Sequence, residues 1–196
     1  MSRALTLVLI AAAVACDGPD GGSPNPPDQG GDGSALASVA LGEDEVPEGL
    51  EPAEQGPISS IQGVLPPRRR DPNLPPLPEG LRGSFAGGYR RSFVGEDRAA
   101  SSTVVRMTDA SAASDLLTYL ELLPVGGHAA DPADVPATGL GEEGFGWHLL
   151  VPESESSGFV WRSGALVASV TLSGPIGAAS PNASLPLAGR VDRRLR

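Results

Sequence analysis

Chemistry in this 196-residue chain would have to come from a short inventory: one cysteine, Cys16, two histidines, and two close pairs of carboxylates. His128 stands near Asp131 and Asp134, and such a set could offer nitrogen and oxygen ligands to a metal. HxxD and DxxD spacings arise often by chance, and no cysteine follows residue 16 to complete the set. A loop histidine is the simpler reading, and no metal or cofactor is expected. Gly139 to Gly144 matches GxGxxG, but dinucleotide binding needs a preceding strand and a following helix that offers its N-terminus to pyrophosphate. Here a proline-containing loop precedes, a strand pattern follows, and Glu142 and Glu143 would repel phosphate, so the motif reads as a turn feeding Phe145. Glu142 with Glu143, or Glu153 with Glu155, could form an acid–base pair. Neighbours on a strand point to opposite faces, and both pairs lie in turn-like polar stretches, so they read as solvated acids. His148 falls on the face opposite Trp147 and is expected to be exposed. There is no GxSxG elbow. No catalytic residue is assigned.

Cys16 is better placed for modification than for catalysis. Arg3 gives a positive start, and residues 4–15 (ALTLVLIAAAVA) are apolar except for Thr6. Twelve helical residues cover about 18 Å, short of the roughly 30 Å hydrocarbon core, so the stretch reads as a signal peptide over residues 1–15. Ala13-Val14-Ala15-Cys16 resembles the lipobox of bacterial lipoproteins, with Ala13 where Leu is usual. The resemblance implies a diacylglyceryl group on Cys16 and attachment to the outer face of the cell membrane. The same residues satisfy the A-x-A rule of ordinary signal cleavage, which would leave a secreted protein with a free thiol. As the one cysteine, Cys16 has no partner for an intramolecular disulfide.

Charge separates the chain into two parts. The net charge is −10, and all fourteen basic residues are arginine, as in proteins of high-GC genomes. Residues 17–54 hold ten acidic and no basic side chains, whereas residues 55–196 hold fourteen acidic residues and thirteen arginines. The acidic part argues against nucleic acid or anionic headgroups as partners. Residues 17–80 contain 13 of the 20 prolines, 11 glycines and no aromatic residue. That composition predicts a disordered tether over residues 16–80. Within it, Arg68-Arg69-Arg70 reads as solvated linker and Pro72 to Pro78 as polyproline II spacer.

The remaining residues, 81–196, must supply the elements that position any site. Phe85, Tyr89 and Phe93 sit among glycines that disfavour helix, so this run reads as a strand. Ser101 to Met107 is rich in β-branched residues and reads as a second. Asp109 is a candidate N-cap for a helix to Leu123, with Ala113, Leu116, Leu117 and Leu120 at helical spacing and Pro124 ending it. Phe145, Trp147, Leu149 and Val151 alternate, Phe159 to Trp161 follows a polar turn at residues 152–158, and Leu166, Ala168, Val170 and Leu172 share a face. Leu187, Val191 and Leu195 allow a short terminal helix over residues 185–195. The expected fold class is α+β: a single antiparallel sheet of about five strands with one main helix packed on one face. Trp161, on an apolar face, is expected in the core.

The run Gly139-Leu140-Gly141-Glu142-Glu143-Gly144-Phe145, followed by Val160-Trp161-Arg162-Ser163-Gly164-Ala165, resembles small lipoproteins and surface domains of high-GC Gram-positive bacteria. In these a G-L-G-D-E-A-F-like loop precedes a V-x-R-R-G-N hairpin. Here Glu142, Gly144 and Ala165 depart from the commoner residues. The resemblance implies fold and location, not an activity. The expected function is that of an exported, lipid-anchored envelope protein with a small non-catalytic binding or accessory domain. Its partner would be an envelope protein or a small apolar ligand. The alternative is a small envelope hydrolase using the acidic Glu142 loop.

Overall fold

The computed structural model describes residues 33–65, 75–123 and 132–196. Seven strands form one sheet in the order β1-β2-β3-β7-β6-β5-β4. They are β1 (Glu51–Ile58), β2 (Phe85–Val94), β3 (Ala99–Met107), β4 (Ala133–Val135), β5 (Glu143–Val151), β6 (Ser154–Ser163) and β7 (Leu166–Gly174). Every neighbouring pair is antiparallel. The β2–β3 hairpin closes where the Gly95 N–H donates to the Arg98 carbonyl at 2.8 Å. The β6–β7 hairpin turns at Gly164, whose φ of 57° is a conformation that glycine adopts without a side-chain clash.

Two strands beyond the expected five account for the difference. Strand β1 has the sequence EPAEQGPI, with two prolines and mostly exposed side chains. It is an edge strand, where a missing N–H is tolerated and no apolar alternation is needed. Strand β4 is three residues long, too short to show a period. Strand β6 also begins at Ser154 instead of Phe159, so the expected turn at residues 152–158 shrinks to Pro152 and Glu153.

Each face of the sheet carries a helix, where one face was expected to. Helix α2 (Ala110–Glu121) starts as expected, with Asp109 Oδ1 accepting the Ala112 N–H at 2.9 Å. It packs Ala113, Leu116 and Tyr119 with Val105, Met107 and Val167. The alternate residues Val104, Ala168, Val170, Leu172, Phe159 and Trp161 face the other way, onto helix α3 (Pro181–Leu195). The expected terminal helix is present as α3 but starts four residues earlier, running from Pro181 to Leu195, and it buries Leu187, Ala188 and Val191. It includes Pro186, which cannot donate to the Asn182 carbonyl, and Gly189, so propensity alone understates it.

The expected tether also needs correction where it is described. Residues 33–50 pack on the α3 side, where Leu36, Ala40 and Leu41 join Tyr89 and Phe93 in the core. Arg194 of α3 holds this segment by donating to the carbonyls of Val39 and Ala40, both at 3.1 Å, and pairs with Glu45 at 2.8 Å. Arg190 donates to the Glu45 carbonyl. On the opposite side Ile61, Leu77 and Leu81 pack with α2, the last from the short helix α1 (Glu79–Gly83). Composition predicted disorder because aromatic residues are absent. A few aliphatic side chains without periodicity nevertheless enter a core already built by the sheet. The signal peptide, Cys16 and Arg68 to Arg70 lie outside the described residues.

Two stability measurements follow. A fragment of residues 81–196 loses β1 and the burial of Leu36, Leu41 and Ile61, so it should unfold well below the full chain in a thermal melt. Trp161 is fully buried. Replacing it by Ala should cost about 3–5 kcal/mol in denaturant unfolding, a large share of the roughly 5–15 kcal/mol typical of a domain.

Candidate functional site

The glycine motif is a turn, as its flanks imply, and its role is to join elements. Gly141, at φ 52°, donates its N–H to Asp192 Oδ1 of α3 at 2.9 Å. A Cβ there would lie 2.1 Å from the Arg162 carbonyl oxygen, so no other residue fits. Arg196 donates to the Gly139 carbonyl at 3.1 Å. The carboxylates of Glu142 and Glu143 do not diverge as strand neighbours would, because Glu142 still belongs to the turn. Both converge on the guanidinium of Arg162, each at 2.7 Å. Glu143 also accepts from Ser114 of α2 at 2.8 Å, and Glu142 from the Gly164 N–H at 3.0 Å. The hydrogen bonds from Arg162 and then Ser114 hold Glu143 below the usual carboxylate range, and Glu143 in turn raises the pKa of Arg162. A carboxylate held ionised by an arginine is a poor proton donor.

His148 and Glu155 form a second cluster, and here two expectations fail. His148 is half-buried, and its Nε2 lies 2.7 Å from Glu155 Oε1. Glu155 is 4 % exposed; it is a buried acid, whereas Glu153 is exposed. The other Glu155 oxygen accepts the N–H groups of Gly177 at 2.8 Å and Ala179 at 3.1 Å, pinning the loop between β7 and α3. Burial pushes the Glu155 carboxyl up, but the bonds from His148, Ala179 and Gly177 outweigh it and leave its pKa lowered. On the same face Ser157 and Ser184 bond to each other at 2.7 Å, fully buried. Sequence reasoning missed this because Glu155 and Ser157 lie in a stretch whose composition is that of a turn.

A third arrangement has no counterpart among the expected sites. Helix α2 covers only the half of its sheet face around Val105, Met107 and Val167. Beyond it, one row crosses all seven strands in register: Glu54, Ser92, Ser101, Thr171, Gly158, Trp147 and Asp134. The side chains of Ser92, Ser101, Thr171 and Trp147 are partly exposed, and Glu54 and Asp134 are exposed. Trp147 lies over Gly158: a Cβ on that glycine would meet Cε2, Cζ2 and Nε1 of the indole at 2.8–2.9 Å. Thr103, Ser169, Ser173 and Ser156 flank the row. Arg90 is occupied, donating to the Gly63 carbonyl at 2.6 Å and to Thr103 Oγ1 at 3.4 Å. With Glu54 it lines a polar concavity of about 390 Å³ at the β1 edge. A second, of about 380 Å³, lies by Asp44, Glu45, Arg91 and Arg194. Neither includes Glu142, Glu143 or His148. The row was legible in part: Ser169, Thr171 and Ser173 alternate with the buried Ala168, Val170 and Leu172.

Among the described residues no group of three or more His, Cys, Asp or Glu could hold a metal ion. Asp134 lies in β4 beside Trp147, while His128 and Asp131 fall outside the described residues. No described helix is long and apolar enough to cross a membrane.

The architecture is α+β, a single antiparallel sheet between helices. No family model and no curated protein matches the chain. Among solved structures the chain is similar to the extracellular domain of PknH from Mycobacterium tuberculosis. The TM-score is 0.56 and the identity 12 %, over 83 % of this chain and 95 % of that one. At this identity the likeness establishes the fold. Its extent agrees with a domain that includes much of the sequence before residue 81.

The acidic clusters predict a pH dependence. Glu155, Glu143 and Glu45 all have folded pKa values lowered from 4.5. A lowered folded value stabilises the protein fully above the unfolded pKa, and the contribution disappears as pH falls through the folded value. Thermal midpoints should therefore hold near neutrality and decline below about pH 4.5. Glu155→Gln should start lower at neutral pH and lose less on acidification.

Proposed function

We propose that this chain is an exported protein of a bacterial envelope, held at the outer face of the membrane by lipid on Cys16. Its folded part would be a non-catalytic binding module. One observation carries the reading. The groups that could do acid–base chemistry, Glu142, Glu143, His148 and Glu155, are spent on ion pairs and hydrogen bonds that join the fold. In the row through Trp147, Ser92 donates to the Glu54 carbonyl at 3.3 Å, whereas the hydroxyls of Ser101 and Thr171 and the indole are not spent in this way. That division is what a binding surface requires and what a hydrolytic centre in the Glu142 loop lacks. A partner would meet the open polar half-face, and the two concavities beside Arg90 and Arg194 are polar as well.

The lipobox-like Ala13-Val14-Ala15-Cys16 supports anchoring, and two acyl chains suffice to hold a protein at a bilayer. Expressed in a high-GC Gram-positive host, the protein should fractionate with membranes and carry a diacylglyceryl mass at Cys16. Cys16→Ser should release it from the membrane fraction or leave it unprocessed. An unmodified Cys16 in the mature protein would replace anchoring by secretion.

A further inference from the structure

We propose that the open half of the α2-side sheet face binds a neutral, polyhydroxylated polymer, a glycan, along the row from Glu54 to Asp134. This rests on the reading of the domain as a non-catalytic binding module and names its ligand class. Three features carry it. The first is the hydroxyl array. Ser92, Ser101 and Thr171 stand side by side on adjacent strands, flanked by Thr103, Ser169, Ser173 and Ser156. Strands repeat at about 4.8 Å, so the row runs about 29 Å across the sheet. Each hydroxyl can both donate and accept, which suits a ligand whose own groups do the same. Ser101, Ser169, Thr171 and Ser173 make no side-chain hydrogen bond to another described residue, so their capacity is available.

The second feature is Trp147. Its indole is laid across Gly158, which lacks the Cβ that would lift it. The ring is partly exposed at the far end of the hydroxyl row. An indole offers an apolar face with an N–H at its edge, complementary to a saccharide ring with a CH face and equatorial hydroxyls. The third is charge. Carboxylates, Glu54 and Asp134, close both ends of the row, and among the described residues the arginine beside it, Arg90, is already bonded to Gly63 and Thr103. An anionic polymer would meet repulsion at the ends without a free cation between them among the described residues. An apolar ligand would strip water from the hydroxyls without replacing their bonds. A protein strand could add only at the two margins, β1 and β4, and not across the face between them.

The test uses the full mature chain and a panel of neutral oligosaccharides (cello-, malto-, xylo-, galacto- and chito-series), with a heparin fragment as the anionic probe. Trp147 and Trp161 give two indole N–H signals in a ¹H–¹⁵N spectrum. At least one neutral oligosaccharide should move the Trp147 signal saturably at concentrations up to about 10 mM, leaving that of buried Trp161 in place. Trp147→Ala should weaken binding at least about tenfold, with its fold checked by circular dichroism. Thr171→Val, which keeps the shape and removes the hydroxyl, should weaken it about threefold to tenfold. The proposal is overturned if no neutral oligosaccharide moves the Trp147 signal, if the heparin fragment binds more tightly, or if Trp147→Ala binds as well as the parent. New reducing ends released from a bound oligosaccharide would overturn the non-catalytic reading and leave glycan recognition standing. Failure to bind any sugar, in a protein still anchored through Cys16, would sink the glycan inference alone.

Discussion

The structure depends on the packing of helix α3 against the middle of the sheet. Phe159 and Trp161 of β6 and Val170 and Leu172 of β7 are sealed beneath Leu187, Ala188 and Val191. These side chains are almost entirely withdrawn from water, and apolar burial of this kind is the largest favourable contribution to folding. Once α3 is docked, Arg190 and Arg194 stand where they can grip residues 39–45, and Asp192 and Arg196 reach the turn before β5. The helix is both the lid of one core layer and the anchor for two remote segments. Glu155 works from the opposite direction, holding the loop that leads into α3 by its backbone N–H groups.

Much of this was legible where local chemistry and global packing agree. Asp109 and the Leu116–Leu117–Leu120 spacing mark α2, and the alternation through β5 and β7 marks strands with distinct faces. The misses have physical causes. An edge strand such as β1 needs no apolar side, so its prolines and glutamates gave it the composition of a linker. The proline and glycine inside α3 lower local propensity, and tertiary burial overrides them. Leu36, Leu41, Ile61 and Leu77 each fill a gap in a surface built by other elements, and a single inserted side chain leaves no period to read. The Trp147 row escaped for another reason. Its members lie on seven different strands, and only the register brings them into line.

The two halves of the sequence pattern that resembles bacterial surface domains meet in space. Gly141-Glu142-Glu143 at the start of β5 and Arg162-Ser163-Gly164 at the end of β6 are joined by two ion pairs, a bond from the Gly164 N–H to the Glu142 carboxylate and a glycine against which Trp161 packs. Ser114 draws α2 into the same joint. The motif is therefore a fastening between the meander and both helices, and its acidic residues are explained without any reaction.

The sheet ends in two unlike ways, and together they govern how copies of the domain behave when crowded. One margin is β1, with prolines at positions 52 and 57 and glutamates at 51 and 54; the other is β4, with three residues. A neighbouring chain seeking to extend the sheet finds missing donors and negative charge at the first and too few backbone groups at the second. Margins of this kind disfavour growth of the sheet from copy to copy, so crowded domains would stay separate molecules.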